Sequence, residues 1–117
     1  MADEKIEVVR SVSSGVAGRA RSTTRDAAPL VLDSSTRPQP DAFTNSEAFL
    51  AGVSSCGVTL IEMHAQETGI PLARMTTTIE GVRKPSEPRF SAITMRFELV
   101  GVTQAQAEEL VETYRRR

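Results

Sequence analysis

Cysteine and histidine are almost absent from this sequence, at one residue each, and tryptophan is missing altogether. A lone cysteine excludes an intrachain disulfide, and one Cys with one His excludes a Cys/His metal cage built by a single chain. An excess of charge of either sign is also lacking: 14 basic side chains against 15 acidic ones leave a net charge of -1. That balance carries no electrostatic footprint for nucleic acid or for an anionic membrane surface. Long apolar runs are lacking too. The longest uncharged stretch with helical character is Ala48–Ile61, 14 residues, short of the roughly 20 that a membrane span needs. The opening Met-Ala-Asp-Glu-Lys is acidic and without the apolar core of a signal peptide. No glycine-rich phosphate loop follows a strand, and neither HExxH nor GxSxG occurs. What is present, 39% hydrophobic and 25% charged residues with 7 Gly and 6 Pro in 117 residues, is ordinary globular composition. It suits one domain with one core, in the cytoplasm.

Along the chain, Lys5–Val12 carries Ile6 and Val8 at spacing two and reads as a strand. Ser13-Ser14-Gly15 supplies a turn into a second, Val16–Thr23. Arg25-Asp26-Ala27 reads as another turn, Pro29–Asp33 as a short third strand, and Ser34–Ala42, with Pro38 and Pro40, as a loop. After the central helix described next, Met75, Thr77 and Ile79 alternate with polar neighbours, as in a half-buried strand. Ile93, Met95, Phe97 and Leu99 do the same beyond a polar connection at Lys84–Pro88, which predicts a hairpin. Thr103 with Gln106 offers a capping box for a last helix that has Ala107, Leu110, Val111 and Tyr114 on one face. The Arg115–Arg117 triplet suits the dipole at that helix's end better than it suits a binding patch.

The strongest local signal is the central helix. Thr44-Asn45-Ser46-Glu47 fits a capping box at its start, and Thr68-Gly69-Ile70-Pro71 fits a stop. Phe49, Val53, Cys56, Leu60 and Met63 form one apolar stripe; Leu50, Gly57, Ile61 and Ala65 form a second. With its first half apolar or small all round, the helix is expected to be buried on most sides. Gly52 and Gly57 then mark close approach of another backbone, since each otherwise costs about 1 kcal/mol against Ala. The order β-β-β-α-β-β-α predicts an α+β domain with antiparallel sheet covered by helices.

Cys56 has two readings. Free cysteine is among the most buried residue types, so it can be a small filler on a core stripe. As a reactive thiolate it would need positive charge or donors beside it. It lies 12 residues after Thr44, so the helix N-terminus cannot supply that charge, and an arginine from elsewhere would have to. His64 follows eight residues later, about 12 Å along the axis, which rules out a Cys–His dyad on this helix.

Pro29-Leu30-Val31-Leu32-Asp33, the polar loop, and Asn45-Ser46-Glu47-Ala48-Phe49-Leu50-Ala51-Gly52-Val53-Ser54-Ser55-Cys56 together resemble the OsmC/Ohr family, the osmotically inducible and organic hydroperoxide resistance proteins. The resemblance takes in Gly69-Ile70-Pro71-Leu72, the Phe97–Val102 strand end and the Gln106–Val111 helix, so that it spans Val16 to Tyr114. It implies an antiparallel sheet wrapped around a long central helix in an intertwined homodimer. It also implies thiol-dependent reduction of organic hydroperoxides, in defence against oxidative stress. The family's peroxidatic cysteine falls on Cys56, its orienting glutamate on Glu47, and its arginine on Arg19 or, with a register slip, Arg21. No cofactor is implied beyond an external thiol or dithiol reductant, and neither nucleic acid nor membrane is a partner.

Two departures are visible. Asn45-Ser46 stands where the family has Asn-Pro. The family's second cysteine, in a Cys-Pro motif after the final helix, has no counterpart in residues 1–117, so this single OsmC-like domain is expected to lack the family's C-terminal helix and last strand. A sulfenic acid on Cys56 would then need an outside thiol. Two other readings stay open: a non-catalytic OsmC-like dimer, and a one-cysteine peroxide sensor.

Overall fold

The computed structural model describes residues 4–115; Arg116 and Arg117, two of the three arginines at the C-terminus, lie outside the described residues. Its elements are β1 (Arg10–Ser13), β2 (Arg19–Thr23), β3 (Leu30–Asp33), β4 (Phe43–Thr44), α1 (Asn45–Thr68), β5 (Arg74–Val82), β6 (Ala92–Val100) and α2 (Gln104–Arg115). The fold is α+β, and the chain divides into two compact units, residues 1–49 and 50–117.

In the first unit, β1, β2 and β3 form an antiparallel meander, with Ser13 opposite Ala20 and Arg19 opposite Asp33. The first two strands are shorter than their alternation predicts, for two physical reasons. The β2 ladder reaches only as far as Arg10, opposite Thr23, so residues 5–9 have no strand partner among the described residues although Ile6, Val8 and Val9 are apolar and exposed. The turn between β1 and β2 also takes in Val16–Gly18: Arg19 N–H donates to the Val16 carbonyl at 3.1 Å. Gly15 and Gly18 adopt φ of 96° and 86° there, where a side chain would be strained. β3 starts one residue after Pro29, which has no N–H to give a ladder. One element was not foreseen. The 34–42 loop brings Phe43 and Thr44 back beside β3 in the same direction, pairing Asp33 with Thr44 in parallel.

The start of α1 matches its sequence signal. Thr44 N–H donates to Glu47 Oε1 at 2.9 Å, and Glu47 N–H donates to Thr44 Oγ1 at 3.2 Å. At the far end Gly69 takes φ 73°, and Ile70 N–H closes on the Ala65 carbonyl at 2.9 Å, the bond of a left-handed glycine cap.

In the second unit, β5 and β6 pair over nine residues, Arg74 opposite Val100 through Val82 opposite Ala92. Their half-buried side chains alternate as expected. Ile61, Ala65 and Leu110 form the buried core, with Ile70, Leu72, Met75, Phe97, Leu99, Val111 and Tyr114 packed around it. α2 opens on its own capping box, Thr103 N–H to Gln106 Oε1 at 3.0 Å and Gln106 N–H to Thr103 Oγ1 at 3.1 Å. Tyr114 lies against Gly57, whose missing Cβ would sit 3.2 Å from the ring. It meets Phe97 edge to face at 5.7 Å between centroids.

Burial of α1 differs from the expectation. Only Gly57, Ile61 and Ala65 are buried, one stripe of the two, while Phe49 is 57% and Met63 53% exposed. Gly52 faces open space. This 24-residue helix, with a mean hydropathy of 1.3 over an 18-residue window, is long and apolar enough to cross a membrane by length and composition alone, which the 14-residue uncharged run understated. The packing of its Gly57–Ile61–Ala65 stripe into the second unit's core accounts for part of that apolar character.

Candidate functional site

Arg19 opens β2 and Asp33 closes β3, and antiparallel register sets them opposite each other. The guanidinium meets the carboxylate with two parallel bonds, Nε–H to Oδ1 at 2.7 Å and Nη2–H to Oδ2 at 2.9 Å. A second carboxylate, Asp41 from the loop, accepts Nη2–H at 2.7 Å and Nη1–H at 3.2 Å. One cation is thus held by two anions, and Asp33 is almost wholly buried. The group lines a cavity of about 350 Å³ with Val16, Gly18 and Arg37.

The electrostatics follow from these bonds. Hydrogen bonds from Arg19 hold both aspartates below the ordinary carboxylate value, against an opposing effect of desolvation. The same bonds, Asp33 first and Asp41 second, raise Arg19. Because the carboxylates keep their charge to lower pH in the folded protein than in the unfolded chain, the unfolded chain binds protons first as pH falls. The clamp therefore contributes its full stability above the ordinary aspartate value of 3.8 and loses it as pH drops through the folded values. Chemical denaturation from pH 7 to pH 2 is expected to show stability level down to about pH 5 and falling below about pH 4. Asp33→Asn should make that fall shallower; an equal slope in the variant would remove the clamp from the acid response.

The other residues singled out by the sequence stand as follows. Glu47 spends one carboxylate oxygen on the Thr44 N–H. Within the first unit Arg19 takes Asp33 and Asp41 as its ion-pair partners. Arg21 lies exposed on the Arg19 face of β2, two residues on, between Val12 of β1 and Val31 of β3. Cys56 is exposed on α1, on the stripe that the second unit's core does not use, so the filler reading does not hold within the chain. His64 is half-buried, and its carbonyl accepts the Thr68 hydroxyl at 2.8 Å. Among the described residues no group of three or more His, Cys, Asp and Glu could hold a metal ion.

Sequence reasoning missed Asp33 and Asp41 as partners of Arg19. A signal existed for the first: an arginine and an aspartate at the ends of consecutive antiparallel strands sit opposite each other if the turn between is tight. None existed for Asp41, which arrives through an irregular loop.

The OsmC family model, described as OsmC-like protein, matches residues 38–117. No curated protein sequence matches the chain. Among solved structures, an OsmC-like protein from Mycoplasma pneumoniae superposes with a TM-score of 0.84 at 16% identity, covering 98% of this chain and 84% of that one. An organic hydroperoxide resistance protein from Elizabethkingia anophelis, with thiocyanate bound, gives 0.77 at 15% identity, covering 99% and 85%. An organic hydroperoxide resistance protein from Legionella pneumophila gives 0.69 at 20% identity, covering 98% and 85%. At these identities the likeness is one of fold.

Proposed function

The chain belongs to the OsmC-like family, and from that premise we propose that it reduces organic hydroperoxides with Cys56 as the nucleophile. The observation that carries the reading is the exposure of this one thiol on the central helix of an OsmC-like fold. The core that Ile61, Ala65 and Leu110 make within the chain does not enclose it. In the first step the Cys56 thiolate attacks one oxygen of the O–O bond. An S–O bond forms, the O–O bond breaks, and the alkoxide leaves with the electron pair and is protonated to the alcohol. Sulfur is oxidised to the sulfenic acid and the peroxide is reduced. The second step takes two equivalents of an external thiol: the first displaces water to give a mixed disulfide, and the second releases Cys56 and a disulfide. With one cysteine in the sequence, both electrons come from outside it.

The protein acts as a homodimer. This is supported by the large apolar side chains Phe49 and Met63 on α1, which stay 57% and 53% exposed within one chain. A second copy is the partner that the family resemblance implies for them. Light scattering at micromolar protomer concentration should return twice the chain mass of 12.7 kDa; a monomer mass would remove the dimer.

The catalytic reading is tested by adding one equivalent of cumene hydroperoxide and weighing the protein. A gain of one oxygen on Cys56, absent in Cys56→Ser, supports it. Unchanged mass with intact hydroperoxide would leave a non-catalytic dimer. Oxidation that ends in a disulfide between two chains, with no thiol-dependent turnover, would favour a sensor.

A further inference from the structure

One hydroxyl of the second unit has sulfur as its partner. Tyr114, near the end of α2, donates its O–H to Met95 Sδ at 3.4 Å. Both side chains are half-buried. Of the methionines among the described residues, Met63, Met75 and Met95, it is Met95 whose sulfur carries a donor. The Met95 methyl and the Tyr114 ring close together on Gly57 of α1, 3.4 and 3.2 Å from where a Cβ would stand.

Packing by itself does not require that hydroxyl. A phenylalanine ring would meet Phe97 and Gly57 equally well, and methionine alone already fills irregular gaps. The hydroxyl adds a donor for which a thioether is a weak acceptor. Oxidation changes this, because a sulfoxide is polar and its oxygen accepts hydrogen bonds well. An oxygen on the lone pair that now meets the O–H falls between Sδ and Oη and takes the same bond. α2 ends one residue later, at Arg115, so the small shift this asks of Tyr114 is made at a helix terminus, where helices fray. Half-burial matters as well. A fully enclosed sulfur would be out of a peroxide's reach, and one like that of Met63, 53% exposed, would carry oxygen with little structural effect.

We propose that Met95 is a modification site, oxidised by hydroperoxides to the sulfoxide, and that Tyr114 is the positioning residue that receives the new oxygen. A sulfur lone pair attacks the terminal oxygen of the hydroperoxide. An S–O bond forms and the O–O bond breaks. The other oxygen leaves with the electron pair, and the hydroperoxide's own proton passes to it, giving the alcohol, or water from hydrogen peroxide. Sulfur is oxidised by two electrons and the peroxide is reduced. A methionine sulfoxide reductase, with a thiol as electron source, reverses the step. The oxygen enters the contact that seats Gly57, so α1 registers the change. The site needs only that the protein meets hydroperoxides, and does not use Cys56. A neutral thioether reacts more slowly than a thiolate, so this oxidation belongs to peroxide excess.

The test is run in Cys56→Ser, which removes the competing thiol, by itself and with Tyr114→Phe or Met95→Leu added. Each protein is held in excess hydrogen peroxide for hours, mapped by peptide mass and melted. The Met95 peptide should gain one oxygen, and the melting temperature of Cys56→Ser should fall. With Tyr114→Phe the fall on oxidation should be roughly 4 °C larger, the worth of one hydrogen bond in a domain of this size. With Met95→Leu most of the fall should disappear, and methionine sulfoxide reductase should restore the melting temperature of oxidised Cys56→Ser. Met95 left unoxidised once Met63 is fully converted would overturn the proposal. So would an equal fall with and without Tyr114→Phe, or an undiminished fall in Met95→Leu, the arm that decides if Tyr114→Phe does not fold. Every arm lacks the Cys56 thiol, so the outcome is independent of whether the peroxidase reading stands.

Discussion

Replacing Cys56 by Ser is expected to abolish hydroperoxide consumption outright, the largest functional effect any single change should have here. The reason is chemical: a serine hydroxyl is not ionised near neutral pH and cannot be oxidised as sulfur can. The unchanged protein, without reductant, should consume one hydroperoxide per Cys56 in a burst and then stop, because the sequence holds no other cysteine to resolve the sulfenic acid. Added dithiol should restart consumption at a rate that rises with its concentration. Excess hydroperoxide without thiol should carry Cys56 on to the sulfinic acid and end activity irreversibly. Stopped-flow consumption traces and intact mass, taken on the same samples, check both halves. Consumption that persists in Cys56→Ser would move the chemistry off this residue entirely.

Stability should depend most on the small core of the second unit. Among the described residues, Leu110 and Ile61 are the large side chains with no exposed surface, and they meet where α1 and α2 pack with β5 and β6. Leu110→Ala is expected to cost about 2–5 kcal/mol, the lost burial plus the cavity left behind. Set against a typical total of about 5–15 kcal/mol, that is enough to unfold a large part of the population under mild stress. Val82→Ala, on a side chain 49% exposed, should stay within about 0.5 kcal/mol. Urea denaturation of both variants, at one fixed protomer concentration because subunit association adds to apparent stability, is the measurement. A Leu110→Ala cost below about 1 kcal/mol would mean that this core relaxes around the gap, and that the fold rests on contacts elsewhere.

The α+β class, the central helix with both of its ends, the β5–β6 hairpin and the last helix are written in local sequence. Each rests on neighbours a few residues apart: Thr44 with Glu47 and Thr103 with Gln106 as caps, Gly69 as the left-handed stop, and period-two alternation from Met75 to Ile79 and from Ile93 to Leu99. Local physics decides such features, so a single sequence reveals them. Cys56 was also visible from sequence, being the one thiol, and the family resemblance pointed to its helix. Three features depended on the tertiary structure, each because it joins residues far apart in the chain. Strand limits at β1 and β2 came from how far a partner ladder extends, which alternation does not encode. The half-buried state of α1 came from which of two apolar stripes met α2 and the β5–β6 sheet, and both stripes look alike in sequence. The separation of Arg19 from Arg21 came from register and from a loop that delivers Asp41 across 22 residues. Two arginines two residues apart on one strand are equivalent in composition and nearly so in pattern; only the carboxylates that fold against one of them make them different.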